Sequence, residues 1–554
     1  TKELVESLEG ETAFDSDTDK GMVRYLIGKY KEAVQIPASL QGELNQANAD
    51  GQLAWGKCYE ADDFESFKPV LKKQFDLQEK IATAINPDEK PYQVLVNRFD
   101  KDYRLEEIDA ILAKIKDAVC EILNAVREEQ SKIDDSILEC EADHDTVLRI
   151  VKKAQEILGL DKDKSTLFEI HHPVCVCTGP RDSRPSTNCD ELIHAILAVV
   201  HETGHGLYNY NANDEVAESG LWGGIEGAMH ESQSRFYENH VGRTREFWEN
   251  LYPYLQKEVP KYKEISLDTF LAALNKVKPG LIRLKADELT NTLHIIIRYE
   301  IEKEYFDGKL TVDTIEEAWN RKYQEYLGFT PKNHQEGILQ DVHWASGCVG
   351  YFQGYALGDA YAAQFAHKLL ADCPDAFEKL GKGDSSVIGN WLKEHIHQYG
   401  QTYSTREMLK KATGEELNTG YYIEYLKEIL KYRGVFYLLN INRIMSKHIL
   451  IHMISLSVDF YYIRNICSSL YQYIHSGILQ IQRLNRFLTL KIDLLPHYFR
   501  QRQFVPPMCL IVQMQIGYAS FTASHNDIIN FRFPAHYPEI IILSLQLLFR
   551  NPFF

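Results

Sequence analysis

The sequence predicts a mainly helical fold, and three observations predict it. Leu105, Ile108, Ile111, Leu112, Ile115, Val119, Ile122 and Val126 recur at three- and four-residue steps, with Glu, Lys and Asp between them. That is the period of a half-buried helix. Leu192, Ile193, Ile196, Leu197, Val199 and Val200 make a second segment apolar on nearly every face, which predicts a buried helix. Strand-like sequence, by contrast, is scarce. The segment Leu167–Val176, short, β-branched, aromatic and broken by Pro173, reads as one or two strands beside the buried helix.

Taken in order, Thr1 to about Ile150 is helical in pattern, with a break at Asn86-Pro87-Asp88 and Lys90-Pro91. Gly179–Asn188 is polar and turn-rich and leads into the buried helix as a loop, a natural place for substrate contacts or for a helix cap. A further helix-like run begins at Gly224 and reaches Phe236. The next helix runs from Ile282 to Glu300, with Arg283 and Asp287 spaced to pair at i, i+4. Gly337–Gly347 and Gly350–Tyr355 pack polar and aromatic residues between glycines, as a pocket wall or a tight helix crossing does. His395–Tyr403 precedes a last helix pair ending near Arg433.

From Gly434 the composition changes. Residues 434–554 carry 10 Lys/Arg against 4 Asp/Glu, a net +6, whereas residues 1–433 carry a net −24. The tail is rich in Ile, Leu, Phe and Tyr without a clean period. Its best apolar run, Ile540–Phe549, is shorter than the ~18 residues a membrane span needs. The expected organisation is one folded domain, 1–433, and an atypical apolar tail, 434–554, outside it. The overall net charge of −18 excludes a non-specific nucleic-acid binder. Ten Cys without framework spacing read as reduced thiols, which predicts a cytoplasmic protein. The chain starts at Thr1 and not Met, so a targeting segment ahead of it is left open. Cys175 and Cys177 read as buried thiols.

The chemistry lies in the buried helix. His201-Glu202-Thr203-Gly204-His205 is H-E-x-x-H. Residues i and i+4 share a helix face, so His201 and His205 can share one metal ion, and Glu202 can reach a water there without binding the metal. This is the zinc peptidase arrangement, with Glu202 as general base. A catalytic zinc site usually takes three protein ligands, so a third is needed. The metzincin extension would put His where Asn211 stands. The candidates are Glu226, His230 and Glu231. Glu231 is favoured, giving a site of two His and one Glu.

Several motifs then stand in one order: His172-Pro173, Asp182-x-Arg184, His201-Glu202-x-x-His205, His230-Glu231-Ser232-Gln233, Ile282-Arg283-x-x-Ala286-Asp287 and Gly337-x-x-Gln340-Asp341-x-His343-Trp344. Together they resemble the carboxypeptidase Taq family of metallocarboxypeptidases, over about Thr1–Arg433. The resemblance implies zinc on His201, His205 and Glu231, replaceable by cobalt, with Glu202 as base. It implies a mainly helical fold around a long groove, a homodimer, and release of single residues from peptide C-termini with broad specificity. Two motifs depart from the family. His-Pro-Phe reads His172-Pro173-Val174, and Asp-x-Arg-x-Thr reads Asp182-Ser183-Arg184-Pro185-Ser186, which bears on pocket shape and not on the metal set. On this resemblance, the family's N-terminal helical portion is expected to be absent from the sequence before Thr1.

For an oxyanion donor besides the metal, the candidates are His343 and Tyr403. For the substrate's terminal carboxylate they are Arg184 and Arg283, by the planar fork of Arg. His172, Asp182, Gln340 and Asp341 complete the substrate-side set that the motifs imply. Two other readings compete: a zinc endopeptidase or oligopeptidase, and a non-catalytic truncated product.

Overall fold

The computed structural model describes residues 2–9, 11, 13–170, 173–432, 520–523 and 529–532. His172 lies outside the described residues, and so does the tail but for one antiparallel strand pair, Ser520–Ala523 with Ile529–Arg532. That pair belongs to a second compact unit, Asn442–Phe554. The helices and the site belong to the first, Thr1–Ile441.

The first unit is helical almost throughout, as its pattern predicts. The periodic stretch forms the helix Leu105–Gln130. It buries Leu105, Ile108, Leu112, Ile115, Val119, Ile122 and Val126 on one face, with Ile111 at the margin. The break at Asn86 ends the helix Phe64–Ile85, and Pro91 begins a short helix, Pro91–Asn97. Proline suits that place, because its missing N–H falls where no helical acceptor exists. Among the described residues no helix is long and apolar enough to cross a membrane. Nor do the eight described cysteines form a disulfide.

The H-E-x-x-H helix is Leu192–Tyr210. It buries Leu192, Ala195, Ile196, Val199 and Val200, and it packs against the helices His144–Ile157 and Ala228–Arg235. The β element beside it is small. Phe168–Glu169 pairs in parallel with Ser186–Thr187, and Val176–Gly179 pairs antiparallel with Asp182–Arg184. The stretch 179–188, read as a loop, therefore supplies two of the four short strands. Ser183 explains why: its neighbours Asp182 and Arg184 face outward, while Ser183 is fully buried under the helix, the alternation of a strand. The Cys175 sulfur lies 3.2 Å from Ser183 Oγ, and burial pushes its thiol up to about 12, in line with an inert thiol.

Two local expectations change. The helix expected from Ile282 begins at Glu288, because the Asp287 carboxylate caps it by accepting from the backbone N–H groups of Leu289 and Thr290. Asp287 is thereby unavailable to Arg283, which sits in a single 3₁₀ turn, Arg283–Lys285, and pairs elsewhere. Gly337–Phe352 forms turns that lead into the helix Gln353–Asp372.

Gly204 sets how close two helices come. A Cβ there would stand 2.5 Å from the Gln233 carbonyl oxygen and 2.7 Å from Ser234 Cα, both backbone atoms of the facing segment. Gly204→Ala should therefore push the Ala228–Arg235 helix outward and cost about 1–3 kcal/mol. Thermal denaturation and metal content measured together check this. An unchanged melting temperature with full metal content would show that the approach is not tight.

Candidate active site

His201 and His205 project from one face of the Leu192–Tyr210 helix, their ring centroids 5.0 Å apart and their planes at 78°. Across from them, Glu231 projects from the helix Ala228–Arg235. Its Oε1 lies 3.8 Å from His201 Nε2 and its Oε2 lies 3.6 Å from His205 Nε2. The ligand atoms of the three residues all fall within 4.8 Å of one another. Room for Glu231 comes from Gly358 on the helix Gln353–Asp372, where a Cβ would meet Glu231 Cβ and Cγ at 2.9 Å. The other two third-ligand candidates lie elsewhere. Glu226 is well exposed and pairs with Lys29 at 3.7 Å, and His230 contacts His205 from behind.

Each candidate ligand has a partner on its far side. Glu238 Oε2 accepts from His201 Nδ1 at 2.8 Å. This fixes the proton on Nδ1 and leaves Nε2 as the lone-pair nitrogen facing Glu231. For His205 the partner is another imidazole, with His205 Nδ1 2.6 Å from His230 Nδ1. His230 Nε2 faces two acceptors, Asn209 Oδ1 at 3.0 Å and the Gly223 carbonyl at 3.1 Å. It therefore carries its proton on Nε2, so its Nδ1 accepts from His205 and His205 Nε2 is left free. Arg235 donates to Glu231 Oε1 at 2.9 Å and to Glu238 Oε2 at 3.1 Å, which orients both carboxylates.

The donor set fits a divalent cation. Two neutral imidazole nitrogens and one carboxylate make the N/N/O set of a catalytic zinc site. The local field agrees. Burial opposes charge on His201, yet Glu231 and Glu238 outweigh it and push that imidazole up to about 9, so the spot favours positive charge. On Glu238, Arg235 and His201 likewise overcome burial and hold its carboxyl well down. Burial and the neighbouring His230 and His201 rings push His205 well below the usual range.

Glu202 is 6% exposed and is not one of the three converging residues. Its Oε2 is buried without a hydrogen-bond partner. Burial, only partly offset by His201, pushes its carboxyl up to about 7. A carboxylate left unsatisfied in this way costs stability, and such groups cluster at functional sites.

The remaining sequence candidates divide. His343 joins the neighbourhood of the site. Its Nε2 lies 3.3 Å from Tyr355 Oη, and Tyr355 sits one turn before Gly358 on the helix against Glu231. Asp341 accepts from Arg283 Nε at 2.9 Å and from Arg298 Nε at 2.6 Å, and it lies 3.9 Å from His343 Nδ1. Gln340 Oε1 accepts from the Arg283 backbone N–H at 2.9 Å. Gln340, Asp341, Arg283 and His343 are therefore one connected cluster. Asp182 and Arg184 form a bidentate pair with each other at 3.1 and 2.8 Å on the exposed side of the β element. Tyr403 is not brought to the cluster: its hydroxyl donates to Asp17 at 2.6 Å.

Sequence reasoning missed Glu238, Arg235 and Tyr355. Glu238 stands in a π-helical turn, Phe236–Val241, that prolongs the Glu231 helix. The wider turn alters which side chains share a face, so a regular helical projection hides this residue. Arg235 had a legible signal, its i, i+4 spacing from Glu231.

The family model described as carboxypeptidase Taq (M32) metallopeptidase matches residues 1–430. Carboxypeptidase 1 of Bacillus subtilis is 37% identical over 440 residues, covering 79% of this chain and 87% of the relative. Thermostable carboxypeptidase 1 of Thermus thermophilus is 32% identical, covering 74% and 82%. Among solved structures, a carboxypeptidase of the same family from Deinococcus radiodurans superposes with a TM-score of 0.74 at 29% identity, covering 78% of this chain and 88% of that one. A helical fold carrying a convergent His, His and Glu set, matched to that family over its first 430 residues, makes this chain a metallocarboxypeptidase of the carboxypeptidase Taq family.

Proposed function

We propose that the enzyme is zinc-dependent, with cobalt able to substitute, and that it releases single C-terminal amino acids from peptides with broad specificity. The observation that carries this reading is the convergence of His201, His205 and Glu231 beside Glu202, whose buried Oε2 lacks a partner. His201 and His205 through Nε2, and Glu231 through its carboxylate, would hold the ion. The ion supplies Lewis acidity, which polarises a peptide carbonyl and acidifies a water.

The chain's own residues do the rest. Glu202 takes a proton from the attacking water and passes it to the leaving amine. His343 is the proposed donor to the developing oxyanion, assisted by the Tyr355 hydroxyl beside it. Tyr403, the other oxyanion candidate, is held by Asp17 away from this cluster and is not proposed as the donor.

Of the two arginines, Arg184 is proposed to bind the substrate carboxylate. It is half exposed and reachable from solvent. Arg283 is 7% exposed and shares Asp341 with the fully buried Arg298, which suits a scaffold role behind His343. Asp182 would orient Arg184, and Gln340 and Asp341 would fix Arg283. His172 is proposed for the same substrate region on the family motif alone. We further propose that residues 1–433 are the catalytic domain with 434–554 outside it, that the enzyme is a cytoplasmic homodimer, and that its partners are peptides, without nucleic acid or membrane.

A mass-spectrometric time course tests the activity on one peptide and its C-terminally amidated twin. The expected result is a ladder losing one residue at a time from the free peptide only. Internal fragments from both peptides would point instead to an endopeptidase, and no cleavage by folded, zinc-loaded protein would point to a non-catalytic product. Arg184→Ala should raise KM on the free peptide about tenfold or more with kcat nearly kept, as for a lost charged contact. Unchanged steady-state kinetics would remove Arg184 from the reading.

A further inference from the structure

A second group of metal-ligating side chains stands apart from the catalytic centre. His144, Glu169 and Cys189 bring an imidazole nitrogen, a carboxylate oxygen and a thiol sulfur within 4.8 Å of one another. They share no residue with the His201, His205 and Glu231 set.

Three separate elements hold these donors in place. His144 opens the helix His144–Ile157, whose start is fixed by Asp143 accepting from the Thr146 backbone N–H at 3.0 Å. Glu169 ends the strand Phe168–Glu169. It stands in register with Thr187, and the Ile170 N–H donates to the Thr187 carbonyl at 3.1 Å. Cys189 follows Thr187 by two residues, so the same strand pairing brings it beside Glu169. His144 Nε2 lies 2.7 Å from Glu169 Oε2. His144 Nδ1 lies 3.4 Å from Asp145 Oδ1, an acceptor that can hold the ring proton once Nε2 gives up its own proton to Glu169 or solvent and turns its lone pair to an ion.

We propose that His144, Glu169 and Cys189 form a second metal site, which takes a borderline-soft divalent cation of the zinc type. One thiolate, one imidazole and one carboxylate suit such an ion, and hard cations such as magnesium or calcium prefer all-oxygen sets. His144 and Glu169 are both exposed, which leaves room for water to complete the coordination of an ion held there. Burial and then the hydrogen bond to Glu169 push the Cys189 thiol up to about 11. Binding therefore displaces the thiol proton: the S–H bond breaks, the sulfur keeps the electron pair and gives it to the cation, and the proton leaves to solvent, while the His144 Nε2 proton moves to Nδ1 or leaves to solvent, without any redox change. The ion would tie the start of one helix to the segment entering the H-E-x-x-H helix, since Cys189 lies three residues before Leu192.

Cobalt(II) titration of the full-length protein, freed of metal beforehand, tests this. The catalytic donors are nitrogen and oxygen only, so a sulfur-to-cobalt charge-transfer band in the near ultraviolet reports a thiolate ligand and not the catalytic centre. The expected result is a band whose full amplitude corresponds to one thiolate-bound cobalt per chain, beside the cobalt held by the catalytic centre. Cys189→Ser should abolish it, Cys177→Ser should leave it, and His144→Ala should weaken cobalt binding more than about tenfold. Peptide cleavage retained by the Cys189→Ser variant shows that it is folded. If that variant does not fold, His144→Ala decides alone, because its ring is exposed. No band at saturating cobalt, a band that survives Cys189→Ser, or unchanged affinity in His144→Ala would each overturn the proposal.

Discussion

Glu202→Gln should lower kcat by about 10²–10⁴-fold while metal content and KM stay close to those of the parent enzyme. The substitution keeps the shape of the side chain and removes its ability to accept and return a proton. Metal content should survive because the three converging ligand residues do not include Glu202. Folding should survive because the Glu202 Oε2 has no hydrogen bond to lose. An amide in that buried place also avoids the cost that burial imposes on the charged carboxylate, so the variant should be no less stable than the parent. Steady-state kinetics on an unmodified peptide, beside elemental analysis of the same preparation, makes the measurement. Retained turnover would remove Glu202 as the base, and lost metal would mean that it serves the ion and not the proton.

Glu231→Ala should abolish stable metal binding. It leaves His201 and His205 alone, and the loss in affinity should exceed the 10–100-fold that mere outer-shell changes cost. Arg235 loses the acceptor of its 2.9 Å bond but keeps Glu238 at 3.1 Å and Asp359 at 3.8 Å, so the fold should remain intact. The readout is metal per chain after dialysis, with circular dichroism to show that the helices persist. Full occupancy in this variant would return the third-ligand role to Glu226 or His230. The structure argues against both. Glu226 is turned toward Lys29, and His230 Nδ1 is committed to His205.

Sequence by itself determined the local half of this site. Two histidines four residues apart on an apolar helix must face one way, because helix geometry depends only on spacing, and Glu202 must lie beside the first of them. The helical class was legible for the same reason: the three- and four-residue period of Leu105–Val126 encodes one buried face. Strand content was less legible, since Asp182–Arg184 is too short and polar to show a period, and its buried Ser183 acquires meaning only under the helix. The third ligand was open among Glu226, His230 and Glu231 because nothing local says which side of the Ala228–Arg235 helix meets the first helix. Tertiary packing decided it. Gly204 and Gly358 let the helices approach until Glu231 alone of the three points between the histidines, while adjacent His230, about 100° around the helix, turns to His205 Nδ1. The same packing brought Glu238 to His201 through a π-helical turn, and gave Arg283 to Asp341 in place of Asp287. Such choices join residues distant in the chain, and only the closeness of packed backbones settles them.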